Sequence, residues 1–275
     1  MRFAVGVPNI GPFANPSDLV DLARAAETAG WDAFFLWDHM VFRPPWQPLV
    51  DPWVTLGAVA VATERVRLGA IVTPLARRRP WKVARETATL DALSGGRLVF
   101  GAGLGAPPLE FSSFGEDVDP KVRAEKLDEA LEIVAGLWSG RPFSFRGKHH
   151  TVEEVEFTPV PLQQPRPPVW IGGRWPNRAP FRRAARWDGA FPTVEDGHLT
   201  PSTLREIVGY TLSHRTSTDR FDIIIEGETP AGSEGVEVVR PYEAAGLTWW
   251  IEVPSSVEGP PDTFRRRIEA GPPRW

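Results

Sequence analysis

Asp38-His39 follows directly on the apolar run Ala33–Trp37 and is the pair in this sequence best suited to moving a proton. Imidazole transfers protons near neutral pH, and a neighbouring carboxylate can orient the ring or hold a ligand. A second chemistry is written in Pro167-Pro168-Val169-Trp170-Ile171-Gly172-Gly173-Arg174. There a strand buried on both faces runs into two residues without Cβ and then into a guanidinium fork that matches a phosphate. A helix pattern opens near Pro180, where free N–H groups would add to an anion site. Gly101-Ala102-Gly103-Leu104-Gly105-Ala106 after another apolar run lets the backbone approach a flat or phosphorylated ligand. Thr73 could hydrogen-bond the edge of a heterocycle, whereas Arg77-Arg78-Arg79 reads as a solvated face.

Other chemistries find little support. The chain has no cysteine, which removes thiol catalysis, disulfides and cysteine metal sites. His39, His149, His150, His198 and His214 make no His-x-His or His-x-x-x-His pair, so a metal centre is not expected. A Gly-x-Ser-x-Gly nucleophile turn is absent.

These groups must be positioned by strands, and eight strand-like runs recur along the chain: Phe3–Pro8, Ala33–Trp37, Val66–Val72, Leu98–Gly101, Val169–Ile171, Gly189–Phe191, Asp222–Ile225 and Trp249–Val253. Amphipathic stretches lie between them, such as Ser17–Ala29, Pro80–Leu93 and Arg123–Trp138. Such βα units match a (β/α)8 barrel forming a single domain over 1–275, whose chemistry would sit at the C-terminal strand ends. Alternation alone also describes an open doubly wound sheet. An insertion over about 139–166 contains a hairpin pattern around Arg146-Gly147-Lys148. The helix boundaries around Asp196–Leu199 and Ala231–Val236 carry little signal.

With 42% hydrophobic and 24% charged residues the composition is that of a folded globular protein. A net charge of -4 gives no nucleic-acid footprint. The N-terminus enters a strand at once, with no leader pattern, and no apolar stretch is long enough to span a bilayer, so a cytoplasmic protein is expected. Twelve tryptophans point to apolar pockets and interfaces, and so to an apolar or aromatic small-molecule substrate.

The segments Ala25–Asp38, Thr63–Thr73 and Ala88–Gly105, followed by the proline-set approach to Trp170-Ile171-Gly172-Gly173, resemble in order and spacing the bacterial luciferase-like superfamily. The resemblance covers essentially the whole length. It implies a TIM barrel, FMN or coenzyme F420 as cofactor, oxidoreductase or monooxygenase activity, and a homodimer. It places the cofactor ring over a strand-three bulge with a non-prolyl cis peptide, mapped to Ala70-Ile71. Thr73 is grouped with that cofactor site. The phosphate maps to Gly172-Gly173-Arg174 and the glycine loop to Gly103-Leu104-Gly105. Asp38-His39 matches the pair that accepts a substrate proton in the deazaflavin-dependent dehydrogenases. The sugar-phosphate members carry a glutamate where this chain has Ala106, a departure that argues against that substrate and leaves room for a catalytically degenerate flavin-binding relative. A different class, a glycoside hydrolase on the same barrel, would need Glu110 and Glu226 as paired carboxylates, although Glu226 could equally point outward.

Overall fold

The computed structural model describes residues 1–45, 48–195, 199–257 and 259–274; His198 and the start of the weakly patterned stretch at Asp196 lie outside them. The strands are β1 (Arg2–Val7), β2 (Ala33–Leu36), β3 (Arg67–Ala70), β4 (Thr73–Pro74), β5 (Phe100–Gly103), β6 (Phe143–Arg146), β7 (Thr151–Val155), β8 (Val169–Trp175), β9 (Gly189–Val194), β10 (Asp222–Gly227) and β11 (Trp249–Glu252). The main helices are α1 (Pro16–Ala29), α2 (Pro52–Ala62), α3 (Pro80–Leu93), α4 (Leu109–Ser112), α5 (Pro120–Trp138), α6 (Ala179–Ala184), α7 (Pro201–Ser213), α8 (Ser233–Glu243) and α9 (Pro261–Glu269).

All the barrel strands pair in parallel, in the order β3-β2-β1-β11-β10-β9-β8-β5-β4. The third barrel strand is broken between β3 and β4. Its first half pairs with β2, its second with β5, and a parallel bridge from Leu68 to Leu98 links the two sides. The expected barrel is therefore the one observed, and the open sheet is not. No helix among the described residues is long and apolar enough to cross a membrane.

Alternation along each strand sorts the apolar residues into two cores. Residues two apart on one strand, such as Phe34 and Leu36, or Ile223 and Ile225, pack outward against the helices. Ala4, Phe35, Trp170, Phe191, Ile224, Trp249 and Ile251 fill the barrel interior. Phe35, Trp170 and Trp249 meet there edge to face, with ring centroids 5.3 to 6.5 Å apart. Three aromatic rings thus plug the barrel, and only the layer above them is open to a ligand.

Several of the family-like segments serve this scaffold. Glu27 of α1 accepts the backbone N–H groups of Glu64, Arg65 and Val66, at 2.5 to 3.0 Å. Arg97 donates to the carbonyls of Ala60, Thr63 and Val66, closing the end of α2 onto the turn before β3. Both clamps gather the N-terminal ends of β3 and β5, the end of a barrel that supports stability rather than catalysis. The insertion forms the antiparallel hairpin β6–β7. It is tied to α5 by Glu129, which accepts the N–H groups of Lys148, His149 and His150.

Candidate active site

A cavity of about 670 Å³ opens above the aromatic plug at the C-terminal ends of the strands, the volume of a site for a cofactor-sized molecule. Ile71, Gly103, Leu104, Gly105, Gly172, Gly173, Arg174 and His39 line it, and so bring together residues drawn from the bulge, the glycine loop, the β8 turn and the end of β2. Ala70 and Thr73, expected with them, do not. Both are fully buried away from the cavity, and the Thr73 hydroxyl has no partner. The reason lies in the break in the third strand. Its non-prolyl cis peptide is Ile71–Val72, one bond beyond the position expected; Ile71 and Val72 line the cavity, while Ala70 packs in the outer core against the helices.

The glycines around this bulge are needed for contact. A Cβ on Gly103 would stand 2.6 Å from Val72 Cγ2, and one on Gly172 would stand 3.0 Å from Val72 Cγ1. Val72 therefore rests on bare backbone from two strands, and a flat, apolar ledge faces the cavity. At its edge Arg174 is exposed at the end of β8 and makes no ion pair or hydrogen bond through its side chain among the described residues. The helix that follows, α6, is only six residues long, so the groups this turn offers to an anion are the glycine backbone and the guanidinium rather than a helix dipole. Arg123 supplies a second cation at the wall, stacked over Phe111 at 4.5 Å and donating to the Gly105 carbonyl at 3.1 Å. A free guanidinium beside a glycine cradle and an apolar ledge fits a phosphorylated flat ring such as FMN or F420.

The surroundings of His39 differ from those its sequence neighbours suggest. Asp38 does not orient His39. Its carboxylate accepts from Arg77 at 2.8 Å, Arg78 at 2.9 Å and the Trp53 indole at 3.2 Å. The carboxylate on His39 is that of Glu110, 3.0 Å from Nδ1, carried by the short helix α4 after the glycine loop. Glu110 also accepts the N–H of Met40 at 2.8 Å and a hydrogen bond from Arg77. Arg77 and Arg78, expected at a solvated face, are in fact buried as the counter-ions of Asp38 and Glu110. Burial acts to raise the Glu110 carboxyl, but the His39 hydrogen bond, the Arg77 charge and the Met40 N–H outweigh it and hold it below the usual carboxylate range. Asn9, which sequence reasoning passed over, fixes the backbone: its amide donates to the His39 carbonyl at 2.8 Å and accepts the His39 N–H at 3.2 Å.

With Nδ1 committed to Glu110, the His39 Nε2 has no protein partner among the described residues, and the ring lines the cavity. Ala106 lines the same wall, so the position of the missing glutamate is filled by an apolar residue, while a glutamate four residues on serves the histidine from behind. The glycosidase pairing fails on geometry, because the Glu110 side chain is wholly buried while Glu226 alone faces the cavity. Glu226 points inward, one layer above Ile224. Its tip is open to the cavity while the barrel wall surrounds it, and this burial holds its carboxyl up, at about 7. The described tryptophans mostly fill cores, and Trp37 is the one at the cavity wall, so the tryptophan count reports packing more than ligand contacts. No metal-binding cluster occurs among the described residues.

The profile of the luciferase-like monooxygenase family matches residues 3–253. The chain belongs to that family. Among its relatives, the F420-dependent glucose-6-phosphate dehydrogenase of Nakamurella multipartita is 34% identical over 194 residues, 68% of this chain and 52% of the relative. The oxygenase component of the flavin-dependent trigonelline monooxygenase of Acinetobacter baylyi is 28% identical over 195 residues, 70% of this chain and 52% of the relative. The chain therefore spans about half the length of these curated relatives. In fold it is similar to an F420-dependent secondary alcohol dehydrogenase solved with an F420–acetone adduct, with a TM-score of 0.79, 18% identity, and 98% of each chain covered.

Proposed function

We propose that this chain is a flavin- or F420-dependent oxidoreductase of the luciferase-like class acting on an apolar or aromatic small molecule. The observation that carries the reading is the meeting, in one cavity, of an unpaired guanidinium on a glycine turn, an apolar ledge at Ile71–Val72 and an imidazole with one free nitrogen. Gly172, Gly173 and Arg174 would hold the phosphate, with Gly103, Leu104 and Gly105 against the ring. A bound flavin or deazaflavin supplies the redox chemistry.

The chain's own part is orientation and proton handling. Glu110 accepts the Nδ1 proton of His39, which leaves Nε2 with a lone pair toward the cavity. Proton uptake at Nε2 from a substrate hydroxyl then places an imidazolium against a carboxylate, and Arg77 keeps that carboxylate ionised. Asp38 stands at the cavity wall, but its carboxylate is taken up in anchoring Arg77 and Arg78, which makes it a positioning residue.

Titration of the purified protein with FMN and with F420, followed by the cofactor absorption bands, tests the reading. Saturable binding of one of them is expected, and binding of neither would remove it. A homodimer goes with this reading, supported by the uncovered apolar stripe of Val54 and Val61, exposed by 77% and 68% on one face of α2. Sedimentation at the 30.5 kDa mass of a single chain would contradict the dimer. A cytoplasmic location also goes with it, and cell fractionation tests that.

A further inference from the structure

Glu226 is a carboxyl without a partner among the described residues, carried on the inner face of the barrel and open to the cavity. It extends from β10 in the layer above Ile224, level with Ile251 of β11, inside a barrel otherwise filled by apolar and aromatic side chains. No ion pair or hydrogen bond engages its side chain among the described residues, and no neighbouring charge offsets the effect of its burial. A buried charge that serves the fold is paired, as Glu252 on the adjacent strand is by Thr229, Trp250 and Arg267. Glu226 instead faces the cavity.

We propose that Glu226 is the substrate-selecting group of this cavity and that it selects a substrate carrying a protonated amine. The inference rests on the oxidoreductase reading for its assignment of the remaining charges. Arg174 is assigned to the cofactor phosphate, Arg123 is engaged with the Gly105 carbonyl and the Phe111 ring, and Asp38 is neutralised by Arg77 and Arg78. No lysine lines the cavity. With Arg174 given to the phosphate, the charged group of the lining left without any partner is a carboxyl, which repels phosphate and carboxylate groups and pairs with a cation. A charge-assisted hydrogen bond from an ammonium would favour the ionised carboxylate and discharge the cost of leaving it unpaired. The substrate of this chain accordingly differs in charge from a sugar phosphate.

Calorimetric titration of the protein with benzylamine, benzyl alcohol and benzoate at about pH 8, where the amine is a cation and the carboxyl ionised, tests the assignment. Benzylamine should bind about tenfold or more tightly than either of the others, and Glu226→Gln should shrink that gap to about twofold or less. Equal or weaker binding of benzylamine by the unaltered protein, including none at all, overturns the proposal, and so does a gap that persists in the variant. The comparison of three probes on the unaltered protein decides the matter if the variant does not fold. The cofactor titration keeps the two readings apart. Amine preference without cofactor binding removes the oxidoreductase reading alone, and cofactor binding without amine preference removes the role of Glu226 alone.

Discussion

Glu110 and Glu226 are two glutamates at the same end of the barrel, one wholly buried and the other open to the cavity, and the fold treats them oppositely. Glu110 is saturated: His39, Arg77 and the Met40 N–H occupy its oxygens, and together they hold it ionised against the effect of its burial. Glu226 stands among the barrel walls without partners, its tip open to the cavity, and the desolvating surroundings raise its carboxyl to about 7. The contrast separates two uses of the same side chain. One glutamate is part of the protein's own wiring and fixes a proton acceptor. The other is left incomplete, as a group is when its partner arrives with a ligand.

The largest effect expected from breaking this comparison lies on the wired side. His39→Asn should lower turnover about 10²–10⁴-fold while cofactor affinity is kept, because the phosphate and ring contacts proposed above come from other strands. Steady-state kinetics on a turned-over substrate, with cofactor titration of the same sample, check both halves; near-normal turnover would make His39 a wall of the pocket only. Next is Arg77→Met, which strands Glu110 and half of the Asp38 network inside the protein. Removing one partner of a buried ion pair costs about 3–5 kcal/mol, so denaturant unfolding should show a loss of that order. A loss below about 1 kcal/mol would mean the cluster is better hydrated than its burial indicates.

The smallest effect concerns Glu226 and has a definite sign. Its folded pKa is raised from 4.5 to about 7, so the fold favours the neutral form. The stabilising contribution of that proton is complete below about 4.5 and is lost as pH rises through about 7. Glu110, with its pKa lowered, runs the other way and loses its contribution as pH falls below the usual carboxylate range. Glu226→Gln should therefore gain melting temperature relative to the unaltered protein as pH rises from about 4.5 to about 7, and be flat above that. A difference that does not change with pH would show that Glu226 titrates like a surface carboxyl.

Much of the scaffold was legible in the sequence, and the site less so, for a physical reason. Each barrel strand is buried on both faces, so a short apolar run announces it, and Phe34–Leu36 or Val169–Ile171 need no distant information. The turn Gly172-Gly173-Arg174 is similarly local. Asp38 was paired with His39 because they are adjacent, yet adjacent residues leave an extended backbone in opposite directions, and one faces the arginines while the other faces the cavity. Glu110 lies 71 residues from His39 and 33 from Arg77, a distance over which no spacing rule operates. Thr73 carries a hydroxyl that suits a heterocycle edge, but it lies beyond the break between β3 and β4 and is fully buried, which residue type alone does not announce. Arg77 and Arg78 look solvated in sequence only because their counter-ions come from other segments.

The claim that the β8 turn holds a cofactor phosphate has one direct test. Whichever of FMN and F420 binds should be compared with its phosphate-free analogue, on the unaltered protein and on Arg174→Ala, by fluorescence titration. Removing the phosphate should weaken binding to the unaltered protein by about 1.5–3 kcal/mol, the worth of hydrogen bonds to a charged group, and most of that difference should vanish in Arg174→Ala. Equal affinity for the cofactor and its phosphate-free analogue, or a difference untouched by Arg174→Ala, would place the phosphate elsewhere and contradict the site.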